Sequence, residues 1–194
     1  VYYDNPSLTA QIKTKIYEHK HAKPLRDNIV KNTKWDPSWF NRISWSAYEM
    51  AFRSMTLFKQ IPIAKLSHGL LNTGAQKQLY NPTEPGTCPC CLQEFETTIH
   101  VFRCQALGTM AAKQIWLQEF QDSLYKLATP SKIAEAISCG VSWWILTDSA
   151  TPPRVQTYGS VLPADIMITS AFSEQGQLGW DQLLRGRVSS RWGK

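Results

Sequence analysis

Four of the chain's five cysteines and one of its four histidines fall in the stretch TCPCCLQEFETTIHVFRC, residues 87–104. No other feature constrains the fold as tightly. The spacing is Cys88-x2-Cys91-x8-His100-x3-Cys104. Two cysteines separated by two residues sit together on one tight turn. A histidine and a cysteine four apart project from one face of a helical turn or a strand-to-helix bend. The four together supply soft ligands to the corners of a tetrahedron, the arrangement that suits structural Zn²⁺. Cys90 lies inside the first pair, and its side chain points away from the corner if Cys88 and Cys91 both bind.

Two other readings of the cluster have to be weighed. CPCC also contains Cys-Pro-x-Cys, a glutaredoxin-type redox pattern. That chemistry needs a βαβ setting with a buried strand before the motif. The preceding residues here are LYNPTEPGT, a polar loop. The second reading is a set of unrelated buried cysteines. The ligand spacing favours a structural zinc site with all four positions filled by protein, which leaves no open position for catalysis. Clustered cysteines do not resemble a secreted disulfide framework, so the expected setting is a reducing one, nuclear or cytoplasmic.

The rest of the chain reads as helical. Ser7 is a candidate cap for a helix over 7–21 that aligns Leu8, Ile12 and Ile16 and carries Lys13, Lys15, His19 and Lys20. Pro24 ends it. Asp36-Pro37 signals a short helix, and Ser44 caps the next, which holds Trp45, Tyr48, Phe52 and Met55. A third helical region contains Pro62, Ile63, Leu66 and Leu70. Gly69 and Gly74 weaken its end, and residues 72–74 read as a turn. After Cys104, one stripe joins Met110, Gln114, Leu117, Phe120, Leu124 and Leu127, with Thr109 as a candidate cap and Pro130 as the stop. Residues 131–147 give another helix, and 148–163 a loop. The last helix is expected from about Ala164 to the end, since Ile168, Phe172, Gly176, Trp180, Leu184 and Val188 recur every four residues. The only alternating run is near IHVFRC. Eight tryptophans spread along the chain argue for burial throughout. The expected fold is all-α, with a small zinc knuckle (81–108) between an N-terminal helical region (1–80) and a C-terminal helical region (109–194).

With these residues in view, TGAQKQLYNPTEPGTCPCCLQEFETTIHVFRCQ resembles the zinc-binding region downstream of the polymerase in non-LTR-type retroelement reverse transcriptases. The matching positions are Cys88-Pro89, Cys91, Glu94 to Thr98, His100-Val101-Phe102 and Cys104. KLSHGLLNTG resembles the helix-turn before the knuckle in those proteins, and GWDQLLRGRVSSRW a C-terminal helix of transposon-encoded frames. The resemblance implies a piece of a retrotransposon polyprotein, with a polymerase domain upstream and a zinc module that supports RNA or DNA contact. No paired-aspartate polymerase signature occurs in the chain, so it is expected to be no enzyme by itself.

Charge agrees with that expectation without requiring it. The formal net charge is +6, which permits nucleic-acid binding. The expected contacts are Arg103, inside the knuckle, and Arg185, Arg187 and Arg191 near the end, each able to reach a phosphate. Lys13, Lys15, Lys20 and Lys23, and Lys194, add to these groups. The alternative is a zinc-stapled scaffold for protein partners with no nucleic-acid binding. Asp148, Asp165, Glu174 and Asp181 form no recognisable nuclease set. His19, His21 and His68 lack partners at catalytic spacing. No segment has a run of apolar residues long enough to span a membrane.

Overall fold

The computed structural model describes residues 23–147 and 163–193, together with Ile12 and Lys20. The helix expected over 7–21, with Ser7, Lys13, Lys15, His19 and His21, otherwise lies outside the described residues, as do residues 148–162 and Lys194. The chain is all-α. An isolated antiparallel bridge joins Thr87 and Phe95.

Two compact units divide the chain, Val1–Ile43 and Ser44–Lys194. The cut falls inside the segment read from the sequence as one N-terminal region. In the first unit α1 (Lys23–Thr33) buries Ile29. A 3₁₀ helix follows over Pro37–Arg42, where the sequence signals a short helix. Its start has a plain cause: the Asp36 carboxylate accepts from the Ser38 N–H at 2.8 Å, and proline stands where a helix has no use for an N–H. The Arg42 guanidinium lies 4.1 Å from the Trp39 ring centre, a cation–π contact.

The second unit contains α2 (Trp45–Ser54), α3 (Leu57–His68), α4 (Gly74–Tyr80), α5 (Thr98–Arg103), α6 (Leu107–Lys126), α7 (Ser131–Leu146), α8 (Pro163–Leu178), α9 (Trp180–Leu184) and a 3₁₀ turn over Ser190–Gly193. The core forms where α6, α7, α8 and α9 meet, from Leu117, Ala136, Ile137, Val141, Ile145, Phe172 and Trp180. Helix α7 is the axis of this body because its small residues admit large neighbours. Trp180, only 2% exposed, lies so close to Gly140 that a Cβ there would meet its ring carbons at 2.1 Å. The Phe172 ring centre lies 4.9 Å from that of Trp180. Burying an indole on this scale removes a large apolar surface from water.

Two expectations are corrected here. The helix expected from Ala164 to the end stops at Leu178. Gly179 has φ 108°, outside the helical region, and the chain restarts as α9 before turning at Arg185–Gly186. The reason is polar. Gln175, fully buried, donates to the Gly179 carbonyl at 3.1 Å and accepts from the Ser189 N–H at 2.8 Å. One amide thus holds both the break and the returning strand of chain. The expected stripe survives the break, since Trp180 is buried and Leu184 packs against the core. Around residues 72–74, the expected turn is the start of α4. Thr73 caps it, accepting from the Gln76 N–H at 3.3 Å, and Leu70 lies beyond α3 with 51% exposure.

Candidate metal centre

The knuckle is built by backbone bonds before any side chain is considered. The Cys88 N–H donates to the Glu94 carbonyl at 2.7 Å, and the Glu96 N–H to the Gly86 carbonyl at 2.9 Å. Between them the chain turns tightly: the Leu92 N–H reaches the Cys88 carbonyl at 2.9 Å, and Leu92 itself takes the left-handed conformation, φ 55°. This brings the Cys88 and Cys91 thiols to one side of the turn. The IHVFRC run, the one strand-like signal in the sequence, is helix α5 instead. Thr97 caps it by accepting from the His100 N–H at 3.1 Å. The Cys104 N–H donates to the His100 carbonyl at 2.6 Å, so Cys104 follows His100 by one turn. The cap overrides the β-propensity of Ile99, Val101 and Phe102.

The ligand atoms of Cys88, Cys91, His100 and Cys104 all lie within 4.8 Å of one another. The Cys88 and Cys104 sulfurs are 3.8 Å apart, and Cys91 Sγ is 3.4 Å from His100 Nε2. A tetrahedral ion with bonds of about 2.3 Å to sulfur and about 2.0 Å to nitrogen needs edges of about 3.8 Å between sulfurs and about 3.5 Å from sulfur to nitrogen. Those two edges match, and with the remaining ones within 4.8 Å the group could hold a metal ion after a small inward shift. Cys90 is exposed and stands outside it.

Electrostatics favour the ligating form at Cys88 and Cys91 and the protonated form at Cys104 and His100. Burial opposes ionisation of Cys88. Donors from Cys91 and Cys90, with His100 and Cys104, outweigh it and hold the thiol down to about 6. The backbone N–H groups of Gln93 and Glu94 lower Cys91. Burial raises Cys104. For His100, burial acts downward, but the thiols of Cys88 and Cys91 win and raise it.

Four residues around the ligands take roles that the sequence pattern does not reveal. Glu94 Oε2 faces His100 Nδ1 at 3.0 Å. With Nδ1 donating to the carboxylate, Nε2 is left as the lone-pair nitrogen turned toward the thiols. On the far side of Cys104, its carbonyl accepts from Thr109 Oγ1 at 2.7 Å and from the buried Lys113 ammonium. Thr109 thus ties α6 to the knuckle where a helix cap was expected. The Glu96 carboxylate accepts from the Gly74 N–H and links the knuckle to α4. A carboxylate six residues before the histidine was the one available signal.

The four arginines expected at phosphates are not gathered around the knuckle. Arg103 donates to the Thr147 carbonyl at 2.9 Å, at the end of α7, with its guanidinium 5.8 Å from the Trp144 ring centre. Arg185 pairs with Asp181 at 3.6 Å and reaches the Leu66 carbonyl at 3.4 Å. Arg187 is buried, donating to the Ser67 carbonyl at 2.9 Å and to Gln182. Arg191 bonds Glu174 at 2.9 Å and Ser170 at 2.8 Å. The acids are equally dispersed: Asp165 pairs with Lys132 at 2.7 Å, Glu174 with Arg191 and Asp181 with Arg185. Asp148 lies outside the described residues. His68 is exposed on α3.

No family model, curated protein or solved structure matches this chain. Among the described residues no helix is long and apolar enough to cross a membrane.

Proposed function

We propose that this chain is a zinc-stapled, nucleic-acid-binding accessory module of the type that follows the polymerase in non-LTR-type reverse transcriptases. The ligand group of Cys88, Cys91, His100 and Cys104 carries the reading. Three thiols and one imidazole within 4.8 Å of one another favour Zn²⁺ over the harder cations, which prefer oxygen. When bound, zinc supplies cross-linking between the turn that holds Cys88 and Cys91 and α5. A closed set of four protein ligands leaves it no catalytic position. The net charge of +6 and the Cys-Pro-x-Cys, His-Val-Phe-x-Cys spacing support the nucleic-acid part.

A second reading is a zinc-stapled scaffold for protein partners. It is favoured by large apolar side chains left exposed outside the core, among them Leu57 at 72%, Leu107 at 91% and Ile115 at 62%. Two measurements separate the readings. The purified, reduced protein should carry about one equivalent of zinc, and less than a tenth of an equivalent would overturn the staple in both. Filter binding to single-stranded RNA and DNA should show affinity that falls steeply with salt. No binding at physiological ionic strength leaves the scaffold.

A further inference from the structure

The four arginines named from the sequence bond to the protein itself, whereas other cations are left without an ion pair. Residues 50–83 contain no aspartate or glutamate, yet hold Arg53, Lys59, Lys65, His68 and Lys77. This stretch covers half of α2 and all of α3 and α4. Arg53 is paired with Glu49 at 2.6 Å. Lys59, Lys65 and Lys77 are exposed and enter no ion pair among the described residues. The same stretch leaves two aromatic rings almost wholly in solvent, Phe58 at 86% and Tyr80 at 81% exposure.

From this combination we infer that α3 and α4 form a single-stranded nucleic-acid surface, with Phe58 and Tyr80 as stacking platforms and Lys59, Lys65 and Lys77 as phosphate contacts. The inference rests on the nucleic-acid reading above and moves its contacts from the arginines to these helices. Exposed flat rings and ammonium groups without an ion pair, carried by the same two helices, match the two repeating parts of a single strand, the base face and the phosphate. A bilayer fits α3 less well. At about 3.6 residues per turn, Lys65 falls between Ile61 and Phe58, in the middle of the outward apolar arc. Lying on a membrane would drive that ammonium into the acyl boundary, whereas interfacial helices keep cations on the opposite, polar face. A duplex is also disfavoured, since its bases are stacked on one another and offer no face to either ring. Next to this surface, a groove of about 260 Å³ runs between α4 and α5. Gln76, Leu79, Thr97, Ile99 and Arg185 line it, giving an apolar floor with polar edges at the scale of one base.

The test uses the full, zinc-loaded chain and a fluorescent single-stranded 20-nucleotide oligomer, titrated across salt concentrations. Anionic phosphatidylserine vesicles and polyglutamate serve as the other probes. The triple variant Lys59→Gln, Lys65→Gln, Lys77→Gln should flatten the salt slope by about two, at about 0.7 per phosphate contact on a single strand. Phe58→Ala and Tyr80→Ala should each weaken binding at least about fivefold with an unchanged slope, the mark of lost stacking. All five side chains are exposed, so far-ultraviolet circular dichroism should match the parent. If the parent binds the oligomer and these variants bind it equally well, the surface is wrong while the nucleic-acid reading stands. If the parent does not bind the oligomer at all, that reading falls and takes this one with it. Equal affinity for vesicles or polyglutamate, with no loss in Phe58→Ala, would overturn the surface in favour of a membrane or an acidic protein.

Discussion

Around Cys88 and His100 the side chains turned inward are thiols and an imidazole, whereas around Val141 and Trp180 they are aliphatic and aromatic. The two regions belong to one compact unit, yet they are held together by different chemistry. In the helical body, apolar burial is shared among many residues, so each contributes a part. In the turn between the two ligand pairs the large apolar side chains face solvent, with Leu92 75% and Phe95 57% exposed. What remains inside is the ligand set. Burial can be reduced in increments, whereas a tetrahedral site that loses one corner loses most of its affinity. The knuckle should therefore fail all at once, and the body by degrees.

The largest effect should come from the ligands. Cys104→Ser should lose the bound zinc, while Cys90→Ser should keep the full equivalent. Structural zinc contributes about 10–16 kcal/mol in small metal-folded peptides at neutral pH. Its loss should unfold the knuckle and leave the helical body folded. Circular dichroism of the metal-free protein should then keep most of its helical signal. Complete loss of helicity on chelation would show that the two regions are not separable.

Next comes the body. Trp180→Ala should cost about 3–5 kcal/mol, the usual scale for truncating a buried aromatic, measured in denaturant melts of the zinc-loaded protein. Zinc content should not change. A cost under about 1 kcal/mol would contradict the packing of Trp180 on Gly140 and Phe172.

The smallest of the three touches the shell around the site. Glu94→Gln keeps a carbonyl oxygen near His100 Nδ1 but removes the charge. Zinc affinity should fall about 10–100-fold, as for other partners of metal-bound histidine, in competition with a chromophoric chelator. Thermal stability of the body should stay within error. An unchanged affinity would make Glu94 a surface residue that meets His100 only incidentally.

Local patterns in the sequence carried part of this structure. The Cys-x2-Cys and His-x3-Cys spacings are local, and so the grouping of Cys88, Cys91, His100 and Cys104 could be read from them. The helical stripes that contain Leu117 and Val141 were legible for the same reason. Leu127, the last member of its stripe, is 79% exposed, because the pattern outruns α6 by one residue. The errors came where a distant or polar partner decides. A four-residue apolar period cannot reveal that Gln175 ends α8 by binding Gly179 and Ser189. The β-like run Ile99 to Phe102 gave no sign that the Thr97 cap would win. Arg185 and Arg187 were expected at phosphates because their acceptors on Leu66 and Ser67 lie more than a hundred residues away, as the separation of 120 between Arg187 and Ser67 shows.

That separation bears on the order in which the molecule assembles. Ser67 donates to the Arg185 carbonyl at 2.9 Å while its own carbonyl accepts from Arg187. Tyr48 donates to the Ser67 hydroxyl at 3.2 Å. Closing so long a loop has an entropic cost that must be met before these bonds return anything, so contacts of this kind form late. During synthesis Ser67 leaves the ribosome long before residues 185–187 exist. The end of the chain thus acts as a clasp, and refolding should show helix formation well before Tyr48 acquires its native fluorescence environment.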